Sequence, residues 1–105
     1  MQIHTKKEKI MFVVLLTYTK PMDAVEAVRG IHREFLDRLY QQDILLASGP
    51  QIPKTGGVLI ARGGRSKDEL MDILREDPFY IQDMATYNII EFDPVKHHAA
   101  IKDLL

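Results

Sequence analysis

Met11-Phe12-Val13-Val14-Leu15-Leu16-Thr17-Tyr18 is a run of β-branched, aromatic and aliphatic side chains, too short for a helix and broken off by Lys20-Pro21. It reads as a strand. Both of its faces are apolar: Phe12, Val14 and Leu16 point one way, Met11, Val13 and Leu15 the other. A sheet wetted on one side alternates apolar and polar residues instead. From Asp23 to about Gln42 the apolar residues fall at Val25, Val28, Ile31, Phe35, Leu36 and Leu39, the spacing of an amphipathic helix. Residues 44–48 read as a second strand stopped by Gly49-Pro50, Thr55-Gly56-Gly57 as a turn, and residues 58–62 as a third strand. Ser66-Lys67-Asp68-Glu69 has the form of a capping box, opening a helix with core positions Leu70, Ile73 and Leu74 that Asp77-Pro78 ends. Residues 86–92 make the fourth strand, Asp93-Pro94 closes it, and the last ten residues suit a short tail helix.

The order is βαββαβ, the ferredoxin-like α+β pattern with a four-stranded antiparallel sheet. Two helices cover only one face of such a sheet. The second apolar face of the first strand therefore predicts packing against another sheet, most simply that of a second copy. The competing reading is a central strand with modest apolar excess in a monomer.

Composition sets the outer bounds. The 105 residues have a mass of 12.1 kDa, the size of one domain. Fourteen Lys and Arg against 15 Asp and Glu leave a net charge of −1, without the basic footprint of a nucleic-acid binder. With no cysteine there is no disulfide scaffold, thiolate metal site or thiol nucleophile. The apolar runs stop at about six residues, where a membrane span needs about 20. The expected setting is cytoplasmic. The lysine-bearing residues 1–10 read as a solvated leader with no signal-cleavage pattern, and Met11 stands as an alternative start.

Few side chains are candidates for chemistry. His32 lies about 30° from the centre of the apolar arc of the first helix, with Val28 and Leu36 one turn to either side. An imidazole aimed at the sheet needs a hydrogen-bond partner, because an unpaired buried polar group costs about 1–3 kcal/mol. A backbone carbonyl meets that need in a purely structural histidine. Asp77 also has two readings. Asp followed by Pro suits the N-cap of a following turn. A carboxylate at the C-terminal end of a helix also gains from a nearby imidazolium. Ser48 and Gly49 offer a hydroxyl and an open backbone at a strand end, and Arg29 stands at the edge of the apolar stripe, able to receive an anion or to reach into solvent. His97-His98 is an adjacent pair that points two ways on a helix and reads as solvated tail rather than a metal site. Tyr18 and Tyr87 read as strand core with hydroxyls at the rim. No ligand set calls for a metal or an organic cofactor.

Taken together, Arg29-Gly30-Ile31-His32, then Phe35-Leu36, then Leu45-Leu46-Ala47-Ser48-Gly49-Pro50, the Gly56-Gly57 turn and Asp77-Pro78-Phe79 resemble the YCII-related (YciI-like) family. The resemblance covers residues 11–93, leaving 1–10 as leader and 94–105 as tail. It implies a ferredoxin-like protomer that pairs into a dimeric α+β barrel, and a His–Asp pair, here His32 and Asp77, in a cleft between helices and sheet. A few family members, similar in fold to muconolactone isomerases, act on hydroxylated or chlorinated ring-derived compounds. The function implied is a cofactor-independent enzyme of lyase, isomerase or dehydrochlorinase type. Imidazole, with a reference pKa of about 6.5, would carry the proton in both directions. Ser48 and Gly49 would hold a substrate oxygen and Arg29 a carboxylate. Two other readings remain open: a dimeric module that binds a metabolite without chemistry, and a buried His–Asp pair kept only for packing. The expected partners are a small molecule and a second copy, with no nucleic acid and no membrane.

Overall fold

The computed structural model describes residues 9–105. The leader expected over residues 1–10 lies, except for its last two positions, outside the described residues. Its last residue, Ile10, packs against the core. Four strands, β1 (Met11–Tyr18), β2 (Leu45–Pro50), β3 (Gly56–Arg62) and β4 (Ala85–Phe92), form an antiparallel sheet in the order β2-β3-β1-β4. Helix α1 (Met22–Gln41) follows β1; α2 (Lys67–Leu74) and a single turn, α3 (Pro78–Ile81), follow β3. The fold is ferredoxin-like α+β, as the strand and helix spacing implies.

β1 is central and pairs on both sides, Val14 opposite Leu59 of β3 and Ile89 of β4. Phe12, Val14 and Leu16 are buried beneath the helices with Leu59, Ala61 and Ile89. On α1 the buried stripe is Val25, Val28, His32, Phe35, Leu36 and Leu39. Ile31, which shares the apolar spacing, is instead 48% exposed; the arc is rotated so that His32 takes the inward position. The capping box of α2 forms in full: Glu69 N–H donates to Ser66 Oγ at 3.0 Å, and Ser66 N–H donates to Glu69 Oε1 at 2.7 Å.

Three boundaries differ from the sequence reading. β2 runs through Gly49-Pro50 rather than stopping there, with Gly49 paired to Val58 and Pro50 to Gly57. It is an edge strand, where a proline costs the ladder no essential donor. Gly56 and Gly57 belong to β3, not to a turn. A Cβ at Gly56 would lie 1.7 Å from the Leu16 carbonyl oxygen, so glycine here admits the close approach of β1. Finally, α2 ends at Leu74, short of Asp77, and Asp77-Pro78 starts α3 with Asp77 as N-cap and Pro78 in the first turn, as the capping reading of this dipeptide has it. The tail forms a 3₁₀ helix at Ala99–Leu104, and the Arg62 guanidinium donates to the Asp103 carbonyl at 3.5 Å.

On the sheet face away from the helices, Val13, Leu15, Val58 and Ile60 are half-buried, while Ile90 and Phe92 are 44% and 40% exposed. No helix among the described residues is long and apolar enough to cross a membrane.

Candidate functional site

Three elements converge on one buried carboxylate. Asp77 is fully buried. Its place is set locally: as N-cap of α3 it accepts the Phe79 N–H on Oδ1 at 2.9 Å. From β4, Tyr87 donates its hydroxyl to Oδ2 at 2.7 Å. From α1, His32 Nδ1 lies 2.8 Å from Oδ1 and 3.0 Å from Oδ2. The Asp77 carboxylate is an acceptor only, so Nδ1 of His32 carries the proton and donates it. The two sequence readings of Asp77 are thus not rivals, since the capping carboxylate is also the histidine's partner. The partner of His32 is this carboxylate and not a backbone carbonyl.

The His32 ring is 3.8 Å, centroid to centroid, from the Phe79 ring and nearly parallel to it at 3°. Tyr18 meets Phe79 edge to face at 6.1 Å. Stacking and the two-oxygen contact fix the imidazole in both plane and rotation. Nε2 has no protein partner among the described residues, and His32 lines a cleft of about 240 Å³ between α1 and the β2–β3 edge of the sheet. Asp77 itself sits behind the ring, away from the cleft.

Arg29, Ser48 and Gly49 line this same cleft. Ser48 Oγ is 2.6 Å from the Tyr40 hydroxyl. Arg29 lies 3.8 Å from Glu26 Oε2 and 3.8 Å from Met22 Sδ. Around Gly49 the space that a Cβ would take is open. His97 and His98 are remote: His97 Nδ1 donates to the Pro94 carbonyl and His98 Nδ1 accepts the Ala100 N–H.

Four participants escaped the sequence reading. Tyr87 is not a rim hydroxyl. Burial, then the charge of Asp77 and the hydrogen bond to it, push the phenol well above its usual range and keep it protonated. Its signal was present: Tyr87 shares the inward parity of Ile89, and a phenol inside a core requires a partner. Phe79 looked like ordinary core. Arg33 and Lys54 line the cleft from α1 and from the loop between β2 and β3, and no periodicity marks an exposed cation as facing a cavity.

A family model for the YCII-related domain matches residues 11–93. No curated protein matches the sequence. Among solved structures, the chain is similar to a 5-chloro-2-hydroxyhydroquinone dehydrochlorinase from Burkholderia phenoliruptrix, in complex with 2,5-dihydroxybenzoquinone: TM-score 0.67, 19% identity, covering 86% of this chain and 97% of that one. An antibiotic biosynthesis monooxygenase is similar with a TM-score of 0.55 at 19% identity, covering 82% and 99% of the two chains. Rv0793 from Mycobacterium tuberculosis is similar with a TM-score of 0.55 at 18% identity, covering 86% and 99%. At these identities the likeness is one of fold.

Proposed function

This chain belongs to the YCII-related family, and from that premise we propose that it is a small-molecule enzyme of lyase or isomerase type in which His32 moves a proton. One observation carries the reading: the imidazole is held through Nδ1 by both oxygens of a buried carboxylate while the ring borders a cleft. Asp77 fixes the tautomer, so Nε2 offers a lone pair to the cleft. It takes a proton from a substrate carbon or hydroxyl, and the imidazolium so formed is stabilised by the adjacent carboxylate. Returning that proton to a different substrate atom completes an isomerisation. If a hydroxide or halide departs as the C–H electron pair forms a double bond, the result is dehydration or dehydrohalogenation. Ser48 and the Gly49 backbone hold the substrate oxygen, and Arg29 adds positive charge to the same cleft. The dehydrochlorinase of similar fold supports a reaction of this class.

The test is solvent deuterium uptake, or loss of water or halide, across a panel of small hydroxylated, halogenated and carboxylated compounds in D₂O. At least one compound is expected to react, with His32→Gln slowing it by about 10²-fold or more, the usual scale for a general acid–base group. Equal turnover in wild type and His32→Gln sinks the proposal. Saturable binding of a compound that neither exchanges nor changes assigns the cleft to a binding module instead.

A further inference from the structure

The charge around the cleft is one-sided. Arg29 and Arg33 stand one turn apart on α1 with His32 between them, and Lys54 faces them from the loop joining β2 to β3. Among the described residues no Asp or Glu lines the cleft. Arg29 lies 3.8 Å from Glu26, while Arg33 and Lys54 form no salt bridge among the described residues. In a chain with one more acid than base, this is a local reversal of sign. Like charges gathered on a concave surface repel one another and raise the local concentration of anions. The cleft volume of about 240 Å³ exceeds the about 150 Å³ of an engineered cavity that takes benzene, so it admits one ring with a few substituents.

We propose that the cleft selects an anionic small molecule, a carboxylate no larger than one substituted six-membered ring, whose charge is held by Arg33 and Lys54. This rests on the assignment of His32 as the proton-transfer group and adds the substrate class. The division of labour follows from position. Arg33 and Lys54, both exposed and without a salt bridge among the described residues, take the carboxylate, and the rest of the molecule lies against His32, Ser48 and Gly49. Holding the anion at one end also keeps it from pairing with the imidazolium, which would stop the proton from returning.

Benzoate and its neutral isostere benzamide are suitable probes, titrated into the full chain while the His32 Cε1–H resonance is followed by NMR. Benzoate is expected to move that resonance saturably and to bind at least about tenfold more tightly than benzamide. The double variant R33Q/K54Q should lose about tenfold or more of the benzoate affinity and none of the benzamide affinity, while K54R, which keeps the charge, should lose little. Equal affinities for the two probes, benzoate binding undiminished in R33Q/K54Q, or no benzoate binding would each overturn the assignment. The two proposals fail differently. If benzoate selectivity and its loss in R33Q/K54Q persist while His32→Gln keeps full turnover, the anion site stands and the proton-transfer role falls. If the probes bind alike while His32→Gln abolishes exchange, the reverse holds.

Discussion

At the residue scale the decisive unit is Tyr87–Asp77–His32. A carboxylate taken wholly out of water survives only if its lone pairs are satisfied, and here three donors from three elements do so. Tyr87 contributes through Asp77 and not through the cleft, which makes it a positioning residue. The Tyr87 phenol is held protonated, with its folded-state pKa above the unfolded value. The stability linked to this proton is therefore fully present below about pH 10 and is lost as the pH rises beyond it, at no more than about 1.4 kcal/mol per pH unit for one proton. In Tyr87→Phe this alkaline loss should be absent, although Asp77 then lacks one donor and the protein should be about 1–2 kcal/mol less stable near neutrality. Urea unfolding of both proteins between neutral pH and about pH 11 checks both signs. Parallel curves for the two would remove Tyr87 from the network.

At the element scale the site depends on how closely strands and helix turns approach. β3 begins with Gly56 pressed against the β1 backbone at Leu16. The neighbouring residues of β1 and β3, Leu16, Tyr18, Gly57 and Leu59, form the floor of the cleft. In Gly56→Ala the new methyl meets a carbonyl oxygen that is itself part of the ladder, so β3 must move away from β1. A loss of about 3 kcal/mol or more is expected, together with weakened ligand binding, since the cleft floor shifts. Chemical denaturation measures the first and the benzoate titration the second. A stability change below about 1 kcal/mol would mean that the strands have room to separate. The one-turn α3 shows the same economy: four residues serve to aim the Asp77 carboxylate and the Phe79 ring at a single imidazole.

At the scale of the whole molecule, the sheet has a second apolar face. Val13, Leu15, Val58 and Ile60 form its centre, and Ile90 and Phe92 extend it toward β4. Contiguous apolar surface of this kind marks an association site. We propose that a second copy covers it, sheet against sheet, as the resemblance implies. Light scattering should then give twice 12.1 kDa, and Ile60→Glu, which places a charge at the centre of the face, should give the monomer mass with the fold intact by circular dichroism. A wild-type monomer at micromolar concentration would reject the pairing.

The element order, the capping box and the inward stripe of α1 follow from hydrophobic period and local hydrogen bonding, which act within a few residues along the chain. So the sequence by itself determined the ferredoxin-like fold and singled out His32, Asp77, Ser48, Gly49 and Arg29. Periodicity alone left the partner of His32 open, because the Asp77 carboxylate reaches it across 45 positions of chain; the pairing was implied only by the family resemblance. Nor did it reveal Tyr87, Arg33 or Lys54 as members of one site. Their relation depends on the rotation of α1 that buries His32 in place of Ile31, and on the path of the loop between β2 and β3, which lines the cleft with Lys54. Those are decided by packing, where the whole core settles into one arrangement, and only the tertiary structure holds them.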